Sequence, residues 1–288
     1  MRFIVTFLII ILIASACGPQ TPKQTEKPIV LVSILPQKTF VEKIAGDDFE
    51  ISILIPHGAN PTTYSILPAQ MAQISDASIW FRMGYVGFEL SWADKIIQAN
   101  PEMKVVDLSK GLDLMAARKN ESTGELTGVD PHIWLSPTLV KKMVRSIRDE
   151  LIALRPDRSE AYNLAYQQFI KEIDETDMQV KQLFKGFEGR KFISFHPSLS
   201  YFAREYGLVQ FSFQQMGKEP TPSQVANLVN IARADNIKVI YIQSDFDREN
   251  ARMFAQEIGG EIIQVWPLNP DWSQNLITMA RLISGNFR

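Results

Sequence analysis

Hydrophobic positions along the chain alternate between two spacings. IVLVSIL (Ile29–Leu35) is a short run rich in β-branched residues, and PQKTFVEKIAG after it carries apolar residues at helical spacing and ends on glycine. FEISILIP (Phe49–Pro56), ASIWFRM and MKVVDLS repeat the strand-like pattern, with the helical GFELSWADKIIQ between the last two. Short apolar runs alternating with helices of about a dozen residues predict a parallel sheet with crossover helices. From Leu112 to Gly128 the pattern breaks, and AARKNESTGELTG reads as a surface loop. Ser136-Pro137 then has the form of an N-cap followed by proline at the first helical position, predicting a helix to Arg155.

No Gly or Pro interrupts Asp157–Lys185, where Tyr162, Tyr166, Phe169, Ile173, Val180 and Phe184 keep helical spacing. A helix of ~28 residues is ~42 Å long, suited to a rigid backbone between two lobes. The strand–helix alternation resumes with KFISF, LVQFSF, TPSQVANLVNIARADN, KVIYIQ, RENARMFAQEIGG, EIIQVW and a closing helix. The fold class predicted is α/β: two parallel-sheet lobes, 29–155 and 190–288, joined by one long backbone helix over 156–189. A ligand cleft is expected between the lobes, facing the carboxyl ends of the strands.

The N-terminus bears on compartment. Met1-Arg2 and the apolar Phe3–Ile13 form a signal-like segment too short for a comfortable permanent span. Ala14-Ser15-Ala16-Cys17 follows and resembles the lipobox of bacterial lipoproteins, so 1–16 is expected to be a signal peptide and Cys17 the acylated first residue. Cys17 is the only cysteine in the chain. The polar, proline-containing 17–28 reads as a flexible tether. A net charge of −2 without a basic run argues against nucleic acid as a partner.

The three histidines fall at strand exits or loop–helix junctions: His57 after FEISILIP, His132 in VDPHIWLSP and His196 after KFISF. Neutral imidazole is a common metal ligand, and zinc takes about four N, O or S donors. No G-x-S-x-G, no phosphate loop and no H-E-x-x-H occurs. A metallohydrolase drawing on Asp130, Asp245 and Asp271 is a competing assignment, but three widely spaced histidines fit it thinly.

Several separate stretches carry a family resemblance: GANPTTYSILPAQ (Gly58–Gln70), GYVGFEL (Gly84–Leu90), DPHIWLSP (Asp130–Pro137), FHPSLSYFAREYGL (Phe195–Leu208), KEPTPSQ (Lys218–Gln224) and YIQSDFDREN. With them the chain resembles the zinc/manganese-type solute-binding proteins of bacterial ABC importers from about Ile29 to Arg288. The resemblance implies one metal ion held between two lobes, delivery to a permease, binding rather than catalysis, and an extracytoplasmic site at the membrane. A monomer is expected.

Carried over residue by residue, His132 and His196 match the family's metal ligands. Thr62 stands where a histidine is usual, Trp266 where a carboxylate is expected, and Gln243 where many members have glutamate. His57, on the same loop as Thr62, is the candidate third nitrogen. Asp245 is the candidate carboxylate, ahead of Asp271 and Gln243. Ala116–Gly128 lacks the histidine-rich segment of many zinc-specific members, yet imidazole donors favour zinc over manganese. A diverged receptor for a metal chelate or other small solute, and a surface adhesion lipoprotein, are the alternatives.

Overall fold

The computed structural model describes residues 27–119, 126–214, 220–243 and 248–287. The first lobe runs β1 (Ile29–Val32), α1 (Leu35–Ala45), β2 (Glu50–Ile53), α2 (Pro68–Asp76), β3 (Ala77–Arg82), α3 (Gly87–Ala99) and β4 (Lys104–Asp107). Its sheet is parallel, in the order β2-β1-β3-β4, with Val30 level with Ile51 and Ile79. A two-stranded antiparallel ribbon, β5 (Ala116–Lys119) and β6 (Leu126–Val129), then leads into α4 (Pro137–Leu154) and the long α5 (Ser159–Phe184).

The second lobe comprises β7 (Lys191–Ser194), α6 (Ser200–Glu205), β8 (Val209–Ser212), α7 (Pro222–Ala234), β9 (Val239–Gln243), α8 (Arg248–Glu257), β10 (Glu261–Val265) and α9 (Trp272–Gly285). Its parallel sheet is ordered β10-β9-β7-β8. Counted within each lobe the strand order is therefore the same, 2-1-3-4. Loops leaving the carboxyl ends of such strands line the ligand crevice. Those loops carry His57 after β2, His196 after β7 and Trp266 after β10.

One sequence expectation is corrected and one element is added. The stretch expected to be a surface loop contains the β5–β6 ribbon, which pairs Ala116 with Val129. Its polar residues suit a ribbon whose pairing is satisfied between its own strands. Helix α2 lay unread between FEISILIP and ASIWFRM, because only Ile74 of its nine residues is buried and no apolar stripe marks it. The cap at Ser136 is as expected: its hydroxyl accepts the Leu139 N–H at 3.3 Å. The long helix has 26 residues and is preceded by a 3-10 turn at Pro156–Arg158.

α5 does more than join the lobes. Its buried Tyr162, Phe169, Ile173, Val180 and Phe184 share one continuous core with Phe40 and Trp80 of the first lobe and Tyr201, Tyr241 and Trp272 of the second. Phe40 meets Phe169 at 5.9 Å and Trp272 at 5.8 Å between ring centroids. Hydrogen bonds cross between the lobes beside this core. Trp134 Nε1 donates to Pro267 O at 2.8 Å, Trp272 Nε1 to Trp134 O at 2.6 Å, and Thr39 Oγ1 to Pro270 O at 2.6 Å. A smaller core, centred on Ile193, Phe195, Ile240 and Phe254, lies within the second sheet and its flanking helices.

Candidate metal centre

His132 leaves the ribbon through Asp130-Pro131, and Pro131 holds Asp130 away from helical conformation. Asp130 Oδ1 accepts both the His132 backbone N–H, at 2.9 Å, and the ring Nδ1, at 2.7 Å. A carboxylate on one ring nitrogen fixes the tautomer and leaves Nε2 as the free donor, the arrangement that supports metal-bound histidines. Burial by itself would raise the Asp130 carboxyl. Attraction to the His132 ring, the two bonds from that residue and a further one from Ser200 hold it below the usual carboxylate range.

His196 comes from the other lobe, in the turn between β7 and α6. Its Nδ1 faces Gln214 Oε1 at 3.4 Å, so this ring is also held through Nδ1. Burial first, and the neighbouring His132 ring second, push the His196 imidazole down to about 4, leaving it neutral in neutral solution. A neutral ring has no proton to shed before it ligates.

The two rings meet edge to face, with centroids 5.5 Å apart and planes at 75°. A zinc ion ~2.0 Å from each ring nitrogen, with a tetrahedral N–Zn–N angle, puts the two ring centroids ~5.2 Å apart. The observed separation is close to that value. Trp134 covers one side of His132 at 5.2 Å. Among the described residues, no group of three or more His, Cys, Asp or Glu is arranged around a metal position.

The remaining sequence candidates divide. His57 is exposed and lines an open cleft of about 600 Å³ together with Pro61, Gln243, Trp266, Asn269 and Asn275. Its ring meets Trp266 edge-on at 4.6 Å, and the histidine–histidine ring contact is between 132 and 196. Thr62 is exposed, its N–H donating to Asn60 Oδ1. Asp271 is exposed at the start of α9. Asp245 and Cys17 lie outside the described residues. Sequence reasoning missed Asp130 and Gln214 as the groups that anchor the two rings. Asp130 had a signal, two residues before His132 in the DPH motif; Gln214, 18 residues beyond His196, had none.

Known proteins resemble the chain along almost its whole length. A crystal structure of ZnuA superimposes with a TM-score of 0.84 at 35% identity, covering 91% of this chain and all of that one. The high-affinity zinc uptake system protein ZnuA of Bacillus subtilis is 29% identical over 265 residues, 87% of this chain and 83% of its own length. The manganese-binding lipoprotein MntA of Halalkalibacterium halodurans is 24% identical over 269 residues, 90% of this chain and 86% of its own length. A manganese-bound periplasmic metal-binding protein from Candidatus Liberibacter asiaticus shares the fold, with a TM-score of 0.81 at 19% identity. It too is covered completely, against 91% of this chain. Residues 30–284 match the family described as ZnuA, zinc-uptake complex component A, periplasmic, and the chain belongs to that family.

Proposed function

We propose that the chain is a lipid-anchored extracytoplasmic receptor that captures a divalent transition metal, zinc in preference to manganese, and hands it to an ABC importer permease. The observation that carries this reading is the pair His132 and His196, presented from opposite lobes with both Nδ1 atoms engaged and centroids 5.5 Å apart. Relatives named for zinc uptake and for manganese binding support the class of cargo. Two nitrogen donors, with the adjacent carboxylate already committed to His132, favour zinc over the harder manganese ion.

His57, on the cleft wall, is our candidate for the third nitrogen, and Asp245, two residues past Gln243 in the sequence, is our candidate for the carboxylate. The chemistry is binding and handover, so no nucleophile or general acid takes part, and the receptor acts as a monomer. Cys17 carries the lipid and 17–28 the tether. Mass labelling with and without a signal-peptidase II inhibitor tests the anchor; an unlipidated mature chain would end it.

A ligand that binds only the folded state raises the melting temperature. Zinc is expected to stabilise the metal-free protein more than equimolar manganese does. If neither ion shifts the unfolding transition, metal capture is wrong. A second reading, capture of the metal as a small chelate, is favoured by the open cleft and by Trp266 in a position where a carboxylate is expected. Competition between free zinc and a zinc–citrate complex separates the two.

A further inference from the structure

The β5–β6 ribbon ends where His132 begins. Ala116 pairs with Val129, so the next opposed residues are Met115 and Asp130. One of their ladder bonds is direct, Asp130 N–H to Met115 O at 2.9 Å. The reciprocal bond is replaced by a side chain from the other lobe. The Met115 N–H donates to Tyr201 Oη at 2.8 Å, and that hydroxyl donates to Asp130 O at 3.1 Å. Tyr201 is fully buried and lies in α6, the helix that follows His196.

Two neighbours on the same helix strap the same segment on either side. Arg204 donates to Asp113 Oδ2 at 3.1 Å and to Asp113 O at 3.2 Å. Glu205 accepts hydrogen bonds from the Ser136 and Thr138 hydroxyls. The loop bearing His132 is thus clasped from Asp113 to Thr138 by the element that follows the other histidine.

We propose that Tyr201 is a positioning residue for metal capture. By completing the ribbon at Asp130, it fixes the carboxylate that orients the His132 ring, and so ties the placement of one imidazole to the lobe that carries the other. Arg204 and Glu205 are the outer straps of the same clasp. The proposal rests on His132 and His196 being ligands. It adds that their relative placement is built in before metal arrives, by a residue that touches no metal.

The test compares zinc affinity in wild type, Tyr201→Phe, Tyr241→Phe and His132→Ala at a temperature where all are folded. Tyr241 is a control, because it is buried and its hydroxyl donates to Leu282 O at 3.2 Å within the second lobe. Groups that orient a metal-bound histidine are worth about 10- to 100-fold in affinity. Tyr201→Phe is expected to weaken zinc binding by about tenfold or more, and Tyr241→Phe to lower the melting temperature without changing affinity. Side-chain 15N–1H spectra of the metal-free protein should show one His132 tautomer in wild type and exchange between two in Tyr201→Phe.

Loss of binding in His132→Ala with Tyr201→Phe unchanged in affinity and tautomer would overturn the positioning role alone. Undiminished binding in His132→Ala would overturn the underlying reading of the site. Should Tyr201→Phe fail to fold, Glu205→Ala decides: a weakening smaller than that expected of Tyr201→Phe supports the clasp, and unchanged affinity overturns it.

Discussion

One carboxylate oxygen, Asp130 Oδ1, accepts both the backbone N–H and the ring Nδ1 of His132, which leaves the ring a single nitrogen to offer. Asp130→Asn removes the charge that holds this ring, so zinc affinity should fall about 10- to 100-fold, read by competition against a fluorescent chelator. Glu89 shows the opposite use of a buried carboxylate. It is fully buried, accepting the Met83 and Gly84 N–H groups at 2.6 Å each, and burial pushes its carboxyl up to about 7 despite those bonds and nearby Arg82. An acid whose folded pKa exceeds its unfolded value of 4.5 stabilises fully below 4.5 and loses that contribution as pH rises to about 7. The loss is about 3 kcal/mol over that window. Glu89→Gln should flatten this part of the stability–pH curve in urea titrations. The curve would keep its slope if Glu89 were not the group responsible. His132 and His196 were legible as residues because their motifs are local. Trp266 was legible only as a departure; its edge-on contact with His57 depends on a loop from the other lobe.

At the scale of elements, the sheets and long helices were legible because their apolar spacing is regular and their caps are written in sequence. Thr221-Pro222 begins α7 as Ser136-Pro137 begins α4, each with a hydroxyl accepting an N–H three residues on. Helix α2 and the β5–β6 ribbon were not legible: α2 buries only Ile74 and leans on partners distant in sequence, and the short polar strands of the ribbon carry no apolar alternation. Gln70 of α2, for example, donates to Leu54 O at 2.7 Å. The turn from β3 to α3 depends on a glycine in the left-handed region. Gly84 has φ 106°, and a Cβ there would lie 2.4 Å from Ser109 Oγ. Gly84→Ala combines backbone strain with a clash and should cost about 2–4 kcal/mol in denaturant unfolding. A change within 0.5 kcal/mol would mean that the loop relaxes freely.

At the scale of the molecule, two lobes were foreseen but their common core was not, because periodicity within a helix does not say which lobe each face packs against. α5, Phe40 and Trp272 make the interior continuous, and Trp134 and Trp272 exchange hydrogen bonds with main chain across the lobe boundary. Trp272→Phe removes the donor to Trp134 O and should lower stability by about 1–3 kcal/mol. Because Trp134 also covers His132, the same variant should weaken zinc binding, whereas a substitution in the smaller core, such as Ile240→Val, should not. Metal capture is tested most directly by metal analysis of wild type, His132→Ala, His196→Ala and His57→Ala after equilibrium dialysis against limiting zinc. Wild type should retain zinc, His132→Ala and His196→Ala should each lose most of it, and His57→Ala should lose part. His132→Ala holding as much zinc as wild type would contradict capture by this pair.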